Sequence, residues 1–150
     1  MIRAVFDTNL LVSAFLMRHH PRGVSTELLR FVHDGAVELY LSPEIIQETA
    51  GTLARSGRAQ ARYRYTPEQA MQYCADLFTV ATIITNPTPV VGAVPRDPDD
   101  DKIVACAISA KAEYLVTRDQ DLLSLGNYGE VAMITPEQFL VRVRADNLPS

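Results

Sequence analysis

Four short, mostly apolar runs constrain what this chain can fold into: Ile2–Phe6, Val37–Leu41, Tyr114–Thr117 and Val131–Ile134. Runs of this length and composition suit strands buried on both faces of a sheet. Each strand is followed by a stretch with helical periodicity. Leu10, Leu11, Val12, Phe15 and Leu16 follow the first, and Ile45, Ile46, Thr49 and Leu53 follow the second. Leu122 and Leu123 follow the third, and Phe139, Leu140 and Val143 the last. Strand–helix alternation implies a parallel sheet covered on both faces, an α/β domain of three layers.

Helix boundaries are written in the capping residues. A helix over Val24–Asp34 points Leu28, Leu29 and Val32 inward and has Gly35 just past its end, where a left-handed residue closes a helix. Ser42 caps a helix that has Pro43 at its first position and runs to about Arg55. The polar stretch Arg55–Tyr65, with Gly57 inside it, reads as a helix end and loop. Thr66-Pro67-Glu68-Gln69 is a capping box opening a helix through Leu77 and Phe78, and the same tetrapeptide recurs at Thr135–Gln138. Each cap contributes about 1 kcal/mol. Asn86–Pro98 carries four prolines and is expected to be an extended loop. Asp99–Ala110 and Asp119–Leu125 are expected to be helical. At 150 residues with no linker, the chain reads as one domain over residues 1–150.

Composition excludes several classes. With 47% apolar and 21% charged residues, this is the profile of a globular protein able to fold without staples. No apolar run approaches the ~18 residues of a membrane span, and Asp7 comes too early for a signal peptide. Cys74 and Cys106 are far apart and suit buried, reduced thiols in a cytoplasmic protein. His19, His20 and His33 complete no zinc spacing with them. The net charge of −4 argues against binding nucleic acid through bulk positive charge.

The acids are better placed than they are numerous. Ligands of open parallel sheets bind outside the carboxyl ends of the strands. Asp7 follows the first strand, Glu48 lies on the helix after the second, Asp101 opens the helix after the proline-rich loop, and Asp119 follows the third strand. Glu48 is preferred to Glu44 because it lies about 115° from the centre of the Ile45–Leu53 apolar stripe, against about 155° for Glu44. Asp101 is preferred, with Asp100 second, because it sits one turn before Ala105. Two carboxylates ~5 Å apart repel by about 3 kcal/mol at an effective dielectric of 20. Four gathered together require neutralisation, and without Cys or His the natural neutralisers are hard cations, Mg²⁺ or Mn²⁺.

At these residues the sequence resembles the PIN-domain nucleases, in the bacterial branch similar to the VapC toxins of toxin–antitoxin systems. Asp7-Thr8-Asn9, Ser42-Pro43 with Glu48, Asp97-Pro98-Asp99-Asp100-Asp101 and Thr117-Arg118-Asp119-Gln120-Asp121-Leu122-Leu123 stand in the family's order along essentially the whole chain. The resemblance implies an α/β/α sandwich with a central parallel sheet of four or five strands. It implies cleavage of RNA by metal-activated water, dependent on one or two Mg²⁺ or Mn²⁺ ions. The family's acidic quartet lands on Asp7, Glu48, Asp101 and Asp119. Asp7, Asp101 and Asp119 would hold metal, and Glu48 would complete the site or orient water. Asn9 and Thr117 match supporting positions. Asp97, Asp100 and Asp121 are further candidate metal ligands beside the quartet. A small antitoxin partner and a homodimer are further expectations of the family.

Arg55, Arg58, Arg62 and Arg64, with Tyr63 and Tyr65 among them, form an acid-free stretch that is a candidate for RNA contact. A solvated helix end or a partner surface is the competing reading. A haloacid-dehalogenase-type phosphatase would need an acid where Asn9 stands. A response-regulator module would need paired acids near the first strand, where there is one. A PIN-fold binding module without catalysis is the remaining alternative. Setting four ligand acids aside leaves 14, equal to the number of Lys and Arg, so the surplus negative charge is compatible with an RNA substrate.

Overall fold

A computed structural model describes residues 1–95 and 97–147. Its strands are β1 (Ile2–Phe6), β2 (Val37–Leu41), β3 (Thr82–Ile83), β4 (Tyr114–Val116), β5 (Asn127–Tyr128) and β6 (Val131–Ile134). They form one sheet in the order β3-β2-β1-β4-β6-β5. All neighbours are parallel except β5 with β6. The sheet thus has six strands, rather than four or five. The two additional strands have two residues each, too short for periodicity to show. They exist because edge pairing supplies partners for their backbone groups.

The helices are α1 (Thr8–Leu16), α2 (Val24–His33), α3 (Pro43–Arg55), α4 (Gly57–Tyr63), α5 (Pro67–Val80), α6 (Asp101–Ala110), α7 (Gln120–Leu123) and α8 (Pro136–Asp146). One helical layer is continuous: α1 packs on α2 and α3, α3 on α5, and α2 on α8. Phe6 of β1 meets Phe139 of α8 edge-on, with ring centroids 5.9 Å apart. α6 packs against β1, β2 and β4, as a right-handed crossover leading back across the sheet requires. Both capping boxes form, with Gln69 and Gln138 closing them, and Ser42 caps α3. Among the described residues, no helix is long and apolar enough to cross a membrane. Cys74 and Cys106 are free and buried.

Two local expectations change. Residues 57–63 are helical rather than loop, because Ser56 caps α4 through Ala59 N–H and Ala59 packs beside Leu53 in a small cluster with Phe15, Tyr65 and Ala70. The helix before β4 begins at Asp101. A 3₁₀ turn over Pro98–Asp100, with Asp97 accepting from Asp99 N–H, precedes it.

Candidate metal centre at the carboxyl edge of the sheet

Asp7 is the hub of this edge. It ends β1 and caps α1 in extended backbone. Its N–H donates to the Val116 carbonyl at 3.0 Å, and its own carbonyl accepts from Leu10 and Leu11. Its side chain, 8% exposed, accepts from Thr8 N–H at 2.7 Å and from the Thr117 hydroxyl at 2.7 Å. Burial raises its pKa above the ordinary carboxylate value. The Thr117 and Thr8 bonds act in the opposite direction, while the charges of Asp119 and Glu48 add to the rise.

Thr117 connects two of the acids. Fully buried at the end of β4, its hydroxyl donates to Asp7 and accepts from Asp119 N–H at 3.0 Å. Asp119 caps α7 by accepting from Asp121 N–H at 2.9 Å. Thr117→Val keeps the volume but removes both bonds.

Asp100 completes the cluster. One oxygen each from Asp97, Asp100 and Asp119 lie within 4.8 Å of one another. Asp100 Oδ2 is buried without a hydrogen-bond partner among the described residues. Its pKa is pushed up to about 8 by burial first, then by hydrogen bonding to Asp119 and by the charges of Asp119, Asp97 and Asp7. Beside them a cleft of about 410 Å³ is lined by Asp7, Thr8, Glu44, Glu48, Asp100 and Lys102, among others. Oxygen-only donors around an orphaned carboxylate atom fit a hard divalent cation. They do not fit zinc, which prefers nitrogen and sulfur ligands.

The model of the PIN-domain family matches residues 3–121, about four-fifths of the chain and all of the acids above. The chain belongs to the PIN-domain family. PIN domains are, in general, nucleases. Two solved structures share the fold. PAE2754 from Pyrobaculum aerophilum superposes with a TM-score of 0.58 at 18% identity, over 96% of this chain and 90% of that one. VapBC2 from Rickettsia felis, bound to a DNA fragment from its promoter, gives a TM-score of 0.56 at 15% identity, over 89% and 98%. No curated protein sequence matches the chain.

In this PIN domain, Asp7, Asp119 and Thr117 lie where the sequence reading placed them, at one strand edge. Glu48 borders the cleft, its carboxylate accepting from the Thr8 hydroxyl at 3.3 Å. Glu44 lines it too, 4.0 Å from the Lys102 ammonium. The first turns of α3 lie at the strand edge, so angle around the helix separates the two glutamates less than expected. Asn9 is exposed, with no side-chain hydrogen bond to the acids among the described residues.

Asp101 is not brought to the cluster. Its carboxylate accepts from Gly92 N–H at 2.9 Å and from Val94 N–H at 2.8 Å, on the proline-rich loop. Asp100 stands beside Asp119 instead. The stripe argument fails here because α6 is buried around most of its circumference, from Ile103 to Ala107. Its apolar residues therefore single out no face, and the 3₁₀ turn resets the angle of the residues before it. Asp97 and Thr8 are the members not assigned a role beforehand. Thr8 stands inside the Asp7-Thr8-Asn9 motif, where a hydroxyl beside a capping carboxylate was the available signal.

The four arginines are exposed on the end of α3 and on and after α4. Arg55 lies seven residues beyond Glu48, about 10 Å of helical rise. Arg62 stands over the Tyr63 ring at 5.4 Å. Tyr65 is buried and donates its hydroxyl to the Leu53 carbonyl at 2.7 Å, so it is part of the core and not a stacking platform for bases.

Proposed function

We propose that this PIN domain is a metal-dependent endoribonuclease acting as the toxin of a toxin–antitoxin pair, with residues 1–150 as one nuclease unit. The observation carrying this is the buried, partnerless oxygen of Asp100 within a convergent set of carboxylates. Such a group is stable only when protonated or beside a cation. Asp7, Asp100 and Asp119 would hold one or two Mg²⁺ or Mn²⁺ ions, with Asp97 at the rim, while Glu48 orients the attacking water from the cleft wall. When bound, the ions supply Lewis acidity toward the phosphoryl oxygens and lower the pKa of water. Thr117 and Thr8 N–H hold the Asp7 carboxylate in one orientation. Lys102, at the cleft mouth, is a cation placed to meet a phosphate.

A small antitoxin, a homodimer and a cytoplasmic setting complete this reading. The VapBC2 structure, whose fold is shared, supports the antitoxin. Incubating defined RNAs with purified protein and Mn²⁺, Mg²⁺ or EDTA tests the activity. Metal-dependent internal cleavage is expected, and Asp7→Asn should leave a folded, inactive protein. Normal cleavage by that variant, with contaminating nuclease excluded, would overturn the site. No cleavage under any metal would favour a PIN-fold binding module.

The arginine face is part of the same proposal. Arg62→Glu with Arg64→Glu should weaken RNA binding by about tenfold at low salt, with the difference shrinking as salt rises. Unchanged affinity at low salt would remove this surface from the RNA path.

A further inference from the structure

Residues 86–95 form a strap leading to Asp97 and Pro98, and the four prolines of the stretch cannot donate backbone hydrogen bonds. Its described ties are few. Thr88 N–H donates to the Ser109 hydroxyl at 2.8 Å, and Gly92 and Val94 donate to the two oxygens of Asp101. Gly92 adopts a φ of 75°, a conformation that favours glycine. Ala93 and Val94 are buried. The Val94 carbonyl then accepts from Asp97 N–H at 3.1 Å. Asp101 therefore holds the amide on one side of the Val94 Cα, and Asp97 N–H binds the carbonyl on the other side. Asp97 is also a member of the acid cluster.

The anchor itself is fixed. Asp101 is the first residue of α6, and α6 packs on three strands. Asp100, one residue earlier, belongs to the cluster. Consecutive residues thus hold a cluster carboxylate and the strap that delivers another. Burial of Val94 secures the strap's depth, but apolar contact is non-directional. The paired hydrogen bonds orient the amides of Gly92 and Val94, and Val94 in turn offers the carbonyl that Asp97 N–H binds.

We propose that Asp101 is a positioning residue: by clasping the Gly92 and Val94 amides, it holds the strap in the one conformation that presents Asp97 to the metal centre. This rests on reading the acid cluster as that centre. Asp101 itself touches neither metal nor substrate in this role.

The test uses the full chain stripped with EDTA and titrated with Mn²⁺ by calorimetry, alongside amide hydrogen exchange without metal. Asp101→Ala should weaken Mn²⁺ binding about 10–100-fold and speed exchange at Gly92 and Val94, leaving β1 and β4 protected. At saturating Mn²⁺, cleavage should recover toward the parent rate, because the chemistry-bearing acids are intact. Adding Asp101→Ala to Asp97→Asn should cost little further affinity, since the two act through one path. If Asp101→Ala does not fold, Asp101→Asn, which keeps one acceptor oxygen, gives the same readouts at smaller amplitude. Unchanged Mn²⁺ affinity, unchanged exchange at Gly92 and Val94, or losses that multiply in the double variant would each overturn the proposal. Failure of the parent protein to bind Mn²⁺ would instead overturn the metal centre, and the exchange data would still report whether the clasp exists.

Discussion

Asp100→Asn is expected to reduce RNA cleavage by about 10³-fold, comparable to removing one preorganised electrostatic group from an active site. The same change should raise the melting temperature of the metal-free protein at pH values above about 8, where Asp100 gives up the proton it shares with Asp119. The two effects have one cause. Asp100 Oδ2 is buried without a partner, beside Asp119 and within reach of the charges of Asp97 and Asp7. Asparagine has the same shape but carries an amide that donates to a neighbouring carboxylate and adds no charge. Satisfying one buried polar group is worth about 1 kcal/mol, or about 2–4 °C for a chain of this size. Melting in EDTA and cleavage in Mn²⁺ should therefore move in opposite directions, which ordinary destabilisation does not produce. Wild-type cleavage by this variant would move the centre away from Asp100 and reinstate its neighbours.

In EDTA, stability should fall as pH rises through the range of about 4 to 8, and divalent cation should restore it. Asp100 is pushed up to about 8 from an ordinary value near 3.8, and Asp7 is shifted in the same direction. Between those limits the folded state binds more protons than the unfolded chain, so the stability slope with pH is negative. The contribution is fully present below about pH 4 and is lost as pH rises through about 8. A cation must displace the shared proton, so its effect should be larger at pH 8 than at pH 5.5. At a hundred times its dissociation constant, Mn²⁺ adds about 2.7 kcal/mol, a rise of about 5–10 °C. Thermal melts at the two pH values, with EDTA and with Mn²⁺, measure this directly. A melting temperature that climbs with pH in EDTA, or ignores Mn²⁺, would sink the cation-site assignment.

The fold was legible where a local signal coincided with a tertiary need. The strands β1, β2, β4 and β6 are apolar because both their faces are covered, and that shows in composition. The helices opened by Ser42, Thr66 and Thr135 are written in residues that cap only at a helix start. The strands β3 and β5 were not legible, since two residues carry no period and pairing at the sheet edges defines them. Helix α4 was hidden for a related reason. Its composition is polar, and what holds it is the Ser56 cap and contact with the Leu53 cluster.

At the site, the sequence alone determined that acids would gather at the carboxyl ends of the strands. Asp7 and Asp119 are bound to strand termini by chain continuity, and Glu48 to the helix leaving β2. Which acid of the Asp97–Asp101 run joins them was decided in three dimensions. Neighbouring residues in a helical or 3₁₀ turn differ by 100–120° in direction, so a short irregular turn before α6 is enough to exchange their roles. That turn aims Asp100 at Asp119 and Asp101 at the amides of a loop folded back over it. A run of consecutive aspartates encodes the charge that a cation requires. Only the packing of α6 and the path of the strap select which carboxylate meets the cluster and which clasps the loop.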